Sequence, residues 1–163
     1  MAKGYAQKEG VDYEETFPST TKLVTICTFL SMVAQNGWKV HQMDVKTDFL
    51  NGYLKENVFM SQPEGFVVKG QEHKVYILVK SLYGLIQASQ AWYGKLTKHI
   101  LKINFKHYNL DDATLFVMKF GRSIVFLVVC VDDLLMTRNN EYYIASIKKD
   151  LKKCLGHIHY YRN

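Results

Sequence analysis

The chain has 163 residues, the length of one folded domain, and 48% of them are hydrophobic while 22% are charged. This balance excludes an intrinsically disordered chain. Basic residues outnumber acidic ones by 21 to 15, and the resulting net charge of +6 favours an anionic partner such as nucleic acid without proving one.

The cysteines and the N-terminus indicate the compartment. Cys27, Cys130 and Cys154 lie far apart and lack Cys-x-x-Cys spacing, which argues against a disulfide framework or a zinc ribbon. The first residues contain no apolar signal segment, and the longest apolar run, 124–131, is too short to span a membrane. We therefore expect a soluble protein of the cytoplasm or nucleus, with no membrane partner.

A core helix and a strand are predicted in the first quarter of the chain. The apolar residues at helical spacing are Leu23, Ile26, Cys27, Leu30, Val33 and Ala34. Residues 19–21 offer N-cap candidates, and Asn36-Gly37 supplies a C-terminal stop. The strand over 38–44 then places Asp44 at its end, before a turn or short helix.

The middle of the chain predicts two short strands and a second helix. One strand begins at residue 58 and the other covers residues 75–79, and a helix follows Gly84. The inward residues of this helix are Trp92, Leu96, Ile100 and Ile103. Gly84 is either a plain turn residue or a point where a nucleotide approaches the backbone closely.

Two adjacent carboxylates, Asp132 and Asp133, interrupt an apolar run that follows a predicted hairpin of residues 113–119 and 123–131. Burying an unpaired carboxylate is costly, so the pair must lie at a turn between two buried strands. One interpretation is a plain hairpin turn, since Asp is a common turn residue. No Gly or Asn stands beside the pair, however. The other interpretation is a paired-carboxylate site for a hard cation such as Mg²⁺.

Asp44 could supply a third carboxylate to such a site, although a solvated strand-end Asp is the simpler interpretation. Two-metal phosphoryl and nucleotidyl transfer uses carboxylate sets of this kind. A last helix over about residues 141–154 is predicted to turn Ile144, Ile147, Leu151 and Cys154 inward and its lysines outward. The lysines indicate a solvated basic face, or alternatively a contact with phosphate.

Nine sequence blocks resemble, in order and over nearly the whole chain, the reverse transcriptase of copia-type LTR retrotransposons, especially those of plant genomes. The blocks are residues 2–7, 12–17, 37–47, 49–52, 62–66, 80–85, 91–93, 111–116 and 131–137. The last of them reads Val131-Asp-Asp-Leu-Leu-Met-Thr. Each block alone is a modest signal, whereas the ordered set is specific.

The resemblance implies roles for seven residues. Asp44, Asp132 and Asp133 match the catalytic aspartates, which would hold two Mg²⁺ ions, with Mn²⁺ as a possible substitute. The residues implied to bind substrate are Phe49, Tyr83, Gly84 and Gln87. The first of these matches an aromatic gate that excludes a ribose 2′-hydroxyl, and the others match the motif that lines the dNTP and template pocket.

The implied fold is α+β: the fingers and palm of a right-hand polymerase, with an antiparallel palm sheet backed by helices and no thumb. Residues 1–163 would form a single partial domain that lacks the start of the fingers and the C-terminal palm and thumb. The implied partners are an RNA template, a DNA primer and dNTPs. The primer 3′-hydroxyl would attack the dNTP α-phosphate.

Several positions depart from the family pattern. They are Asp48, Ile86, Ser89, Gln90, Cys130 and Arg138, together with an apparent deletion after Cys154. The neutral residues at 86–90 remove two positive charges from the pocket motif, which should lower phosphate affinity. We therefore also expect, as an alternative, a catalytically inactive remnant that at most binds nucleic acid.

Overall fold

The computed structural model describes residues 2–14, 20–46, 49–109, 112–139, 143–155 and 158–161. The helices in these ranges are α1 (Leu23–Asn36), α2 (Ala88–Lys102) and α3 (Ile144–Leu155). The strands are β1 (Val40–Val45), β2 (Tyr53–Ser61), β3 (Val75–Lys80), β4 (Lys106–Asn109), β5 (Asp112–Phe120), β6 (Ser123–Cys130), β7 (Asp133–Arg138) and β8 (Ile158–Tyr161). The predicted α+β class with antiparallel sheets is confirmed.

Six of these strands form one antiparallel sheet in the order β4-β5-β6-β7-β1-β8, and β2 pairs with β3 in a separate two-stranded sheet. The β-branched apolar run predicted to form buried strands becomes β6 and β7 at the centre of the large sheet. Strand β1 comes from far upstream and pairs with β7. The catalytic candidates Asp44 and Asp133 therefore lie on neighbouring strands of this sheet, and Asp132 lies in the turn before β7.

The two faces of the large sheet carry different helices, because side chains along a strand alternate between faces. On β6, Val125, Leu127 and Val129 pack in the main core with residues of α2 and α3, whereas Phe126 and Val128 pack with residues of α1. Of the residues predicted on one face of α2, Trp92, Leu96 and Ile100 are at most 2% exposed, while Ile103 caps the end of the helix and is partly buried. No helix in the described ranges is long and apolar enough to cross a membrane.

Helix α1 has the predicted C-terminal end but only part of the predicted buried face. Gly37 ends it in the left-handed conformation, as its sequence indicates. Of the predicted core residues, Val33 is buried, but Leu23 and Leu30 are 74% and 47% exposed, so that part of the prediction is wrong. Phe29, which was not predicted, is buried instead. Leu23 and Phe29 both fit a helical period, and contact with the sheet decides which of them is buried.

The start of α1 also differs from the prediction. Lys22 occupies the N-cap position and makes no side-chain cap, while Ser19 lies outside the described residues. The Thr21 hydroxyl instead donates to the carbonyl of Val129, and the Thr25 hydroxyl donates to Asp112. These hydrogen bonds connect the N-terminal end of α1 and the residue before its N-cap to β6 and β5.

Other differences concern strands. The strand expected from residue 58 begins at Tyr53, and β4 and β8 were not predicted. Arg138, one of the departures from the family pattern, is the last residue of β7, opposite Val125, and is 4% exposed. Of the inward residues predicted for α3, Ile144, Ile147 and Leu151 are buried, while the Cys154 side chain lies outside the described set.

Substitution of α1 residues tests the observed face. Phe29→Ala should lower the free energy of unfolding by about 3–5 kcal/mol, because it opens a cavity under a residue that is 2% exposed. Leu23→Ala should change it by less than about 0.5 kcal/mol, because that side chain is mostly in solvent. Denaturant titration measures both, and a larger loss for Leu23→Ala would contradict the observed packing.

Candidate active site

Two of the predicted catalytic aspartates face each other across neighbouring strands. The register of β1 with β7 places Asp44 directly opposite Asp133, and Cys130 of β6 is opposite Asp133 on the other side. Side chains of directly opposed residues on one face have Cβ atoms about 4.5–5.5 Å apart. Both aspartates lie on the α1 side of the sheet, since Met43 and Leu134 next to them point into the main core.

Asp132 lies in the two-residue turn between β6 and β7, next to this opposed pair. Its backbone carbonyl accepts a hydrogen bond from the Val45 amide at 3.0 Å, which ties the turn to the end of β1. The turn thus consists of Val131 and Asp132, with Asp133 already in β7, and the carboxylate-site interpretation stays a prediction. The absence of Gly was a misleading argument against a hairpin, because Val131 itself adopts a positive φ of 52°.

A β-branched residue with positive φ is unfavourable and persists only where the surroundings hold it. At Val131 the restraint comes from Trp92 of α2, whose indole Nε1 donates to the Val131 carbonyl at 3.1 Å. Trp92 is 2% exposed, so this hydrogen bond is shielded from water. The buried indole therefore fixes the backbone of the turn that carries Asp132.

Polar neighbours surround the opposed pair. The Gln42 amide Nε2 donates to Asp133 Oδ1 at 3.1 Å. Burial raises the pKa of the Cys130 thiol, with a hydrogen bond to the Thr21 side chain acting against this and the charge of Asp133 adding to it. Cys130 is therefore a neutral thiol at physiological pH.

The aspartates have the donor chemistry for a hard divalent cation, which takes carboxylate oxygens. Like charges placed directly opposite each other destabilise an antiparallel pair, so a cation between Asp44 and Asp133 would relieve a repulsion that the register imposes. Within the described ranges, however, no group of three or more His, Cys, Asp and Glu side chains is arranged to hold a metal ion. The backbone placement fits a cation, while the side chains do not converge on one.

The predicted gate residue lies just beyond the end of β1. Phe49 begins a short 3-10 helix, Phe49–Asn51, and its ring meets that of Tyr83 edge to face, with centroids 5.0 Å apart. The Ser81 hydroxyl donates to the Phe49 carbonyl, and the Ser81 amide donates to the Gly52 carbonyl at 2.9 Å. Asp48, the departure next to the gate, lies outside the described residues.

Gly52 allows the gate segment to approach α2 closely. A Cβ added at this position would meet the Trp92 amide nitrogen at 2.7 Å and the Ser81 hydroxyl at 2.8 Å. Trp92 therefore contacts the gate segment through its backbone and the Asp132 turn through its indole. One residue of α2 fixes both segments relative to each other.

The other predicted pocket residues fall at the start of α2. Tyr83 is 39% exposed, and Gly84 adopts a positive φ of 96°. Gln87 is 2% exposed, and its amide accepts from Gln7 and donates to the Asp12 carbonyl. Its direct contact with substrate stays a prediction, and in this structure it anchors the N-terminal segment.

Sequence reasoning assigned no role in the site to Trp92 or Gly52, although each carried a signal. A Trp in a core position needs a partner for its N–H, and an isolated Gly beside a strand often marks a close approach of two backbones. Neither signal identifies the partner, because the Val131 carbonyl and the Trp92 amide are distant in sequence.

Two glycine substitutions test the close approach. Gly52→Ala should lower the free energy of unfolding by about 1–3 kcal/mol, because its methyl group has no space against backbone atoms. Gly94→Ala is the matched control: nothing lies within 4 Å of its added Cβ. Since it lies inside α2, alanine there should stabilise by about 0.5–1 kcal/mol. Equal effects in denaturant titrations would contradict the proposed packing.

The chain was compared with known proteins. Residues 1–160 match the model of a family described as reverse transcriptase (RNA-dependent DNA polymerase). A retrovirus-related Pol polyprotein from transposon RE1 of Arabidopsis thaliana is 44% identical over 140 residues, which are 86% of this chain and 10% of that protein. The corresponding polyprotein from transposon TNT 1-94 of Nicotiana tabacum is 39% identical over 153 residues, 94% of this chain and 12% of that protein.

The chain thus spans about a tenth of the length of the curated relatives it matches. A comparison with solved structures finds no significant match. The family model nevertheless covers nearly all of the chain and includes every residue of the candidate site. The chain belongs to the reverse transcriptase family, as the reverse transcriptase domain found in Pol polyproteins of copia-type transposons.

Proposed function

We propose that this domain carries out RNA-directed DNA polymerisation, with Asp44, Asp132 and Asp133 as its catalytic residues. The observation that supports this most strongly is the register of β1 with β7, which brings Asp44 opposite Asp133 and beside the Asp132 turn. Three aspartates from two distant parts of the chain are thus placed by the backbone at one end of the central strands. Nucleotidyl transfer requires such a set.

The three aspartates would hold divalent metal ions, and Mg²⁺ is the ion we propose, with Mn²⁺ able to substitute. Metal held by these residues would supply activation of a primer 3′-hydroxyl and neutralisation of the charge on the pyrophosphate. The protein contributes by positioning: Gln42 orients Asp133, and Trp92 together with the Val45 amide fixes the backbone around Asp132. Positioning supplies much of the rate in such reactions.

The nucleotide would bind between the metal site and the aromatic pair of Phe49 and Tyr83. The edge-to-face contact and the Ser81 hydrogen bonds hold Phe49 rigidly, so its ring can discriminate by size against a ribose 2′-hydroxyl. Gly84 would let the substrate approach the backbone. Gln87 would contribute by holding the N-terminal segment in place through its hydrogen bond with Gln7.

In this proposal the six-stranded sheet is the palm of a right-hand polymerase, and the β2–β3 sheet belongs to the fingers. Residues 1–163 would then be a single partial domain of a larger polyprotein. Its partners would be an RNA template, a DNA primer and dNTPs.

A second candidate function is nucleic-acid binding without catalysis. It is favoured by Ile86, Ser89 and Gln90, because Ile86 and Gln90 are exposed at the entrance to α2 and carry no charge for a triphosphate. A domain that keeps the metal ligands but binds the triphosphate more weakly would incorporate nucleotides slowly or not detectably.

A primer-extension assay distinguishes the two functions. Wild-type protein should incorporate dTTP on an RNA template with a DNA primer when Mg²⁺ or Mn²⁺ is present. Asp132→Asn should reduce incorporation by at least about 100-fold, since even outer partners of a metal site contribute 10–100-fold. Glu72→Gln is the control, because it removes one carboxylate from an exposed loop and should leave the rate unchanged.

Equal incorporation by wild type and Asp132→Asn would contradict the catalytic assignment. Salt-dependent template binding without incorporation in any variant would support the binding function instead.

A further inference from the structure

The positive charge of the chain is concentrated on two helices. Helices α2 and α3 together contain seven lysines and one aspartate, a net charge of +6, which equals the net charge of the whole chain. The remaining residues carry fourteen basic and fourteen acidic side chains and are neutral overall. The basic character of the protein is therefore a local property of the α2–α3 layer.

This layer covers the face of the sheet opposite the aspartates. Residues of α2 and α3 pack with Met43 and Leu134 in the main core, whereas Asp44 and Asp133 point to the other side. The exposed lysines of the layer are Lys98, Lys102, Lys149, Lys152 and Lys153. A ligand attracted by these lysines would bind on the side of the sheet away from Asp44 and Asp133.

A cavity of about 400 Å³ lies at the end of this layer, between α2, α3 and β5. Phe120 and Tyr143, which both line it, stack with centroids 5.2 Å apart and an angle of 17° between their planes. They are 41% and 38% exposed, respectively. Lys102 and Lys153 also line the cavity, so an aromatic platform and cationic groups border the same space.

The acidic group at the cavity is already compensated. Asp150 Oδ1 accepts from Lys153 Nζ at 3.1 Å, and the Asp150 carbonyl is 3.0 Å from His99 Nε2. The negative charge is thus balanced locally, and Lys102 and Lys152 leave the surface positive.

We propose that the α2–α3 layer is a binding surface for single-stranded nucleic acid, separate from the candidate active site. Phosphates contact the exposed lysines, and one unpaired base enters the cavity and stacks on the outer face of the Phe120–Tyr143 pair. Proteins that bind single strands combine a basic track with aromatic platforms in this way. A duplex cannot offer an unstacked base, and an acidic peptide segment offers no planar base. The surface needs no metal and does not depend on polymerase activity.

Fluorescence anisotropy with a labelled single-stranded oligonucleotide, in EDTA, tests this proposal on the full chain. Replacing Lys102 and Lys152 together by Glu should weaken binding at least about ten-fold and reduce the salt dependence by about 1.4 in log–log slope, or 0.7 per lost phosphate contact. The matched control replaces Lys69 and Lys74 by Glu, which makes the same charge change in an exposed loop of the β2–β3 sheet. It should change affinity by less than about two-fold and leave the slope unchanged.

The stacking step has its own variants. Tyr143→Ala should weaken binding about ten-fold, the effect of losing one stacked base, while Tyr143→Phe should bind like wild type. An abasic oligonucleotide should bind wild type and Tyr143→Ala equally.

Equal effects of the two double-lysine variants on affinity would overturn the location of the surface. A Tyr143→Ala affinity equal to wild type on the normal oligonucleotide would overturn recognition of a base, and circular dichroism confirms that each variant is folded.

Discussion

Strand β1 reaches the centre of the large sheet from far upstream and pairs with β7 in a register that sets one carboxylate against another. Asp44 and Asp133 are directly opposed, an arrangement that costs about 0.2–1 kcal/mol relative to neutral pairs. Stability alone would not select it. The buried residues of β1 and β7 on the other face, such as Met43 and Leu134, enforce the register, because a slip of one residue would move them out of the main core to the opposite face of the sheet. The hydrophobic core thus holds the charged pair in place.

Trp92 and Gly52 extend this constraint to the rest of the site. The Trp92 indole holds the strained Val131 backbone next to Asp132, and its amide packs against Gly52 below the Phe49 segment. Helix α2 consequently sets the distance between the aspartate turn and the aromatic pair. Trp92 belongs both to the hydrophobic core and to the surroundings of the candidate site, so a change at this residue affects both.

Much of this arrangement could be predicted from sequence. The alternation and β-branched content of 123–137 predict two central strands, and the ordered motifs indicate Asp44, Asp132 and Asp133 as one set. The buried face of α1 was wrong, because Leu23 and Phe29 both fit a helical period and only the position of the sheet separates them. The positive φ of Val131 and the engagement of Gln87 by Gln7 depend on distant partners. From the sequence, only the last helix was predicted to be basic. That α2 and α3 form one basic layer could not be predicted, because it requires knowing that both helices cover the same face of the sheet.

A double-mutant cycle on Asp44→Asn and Asp133→Asn, measured by denaturant unfolding with and without Mn²⁺, tests the opposed carboxylates directly. In EDTA each single variant should be more stable than wild type by up to about 1 kcal/mol, because the repulsion is relieved, and the second substitution should add little. With Mn²⁺ at ten times its dissociation constant, wild type should gain about 1.4 kcal/mol and the double variant almost nothing. Equal stabilisation of all four proteins by Mn²⁺, or no coupling between the two positions in EDTA, would contradict the account.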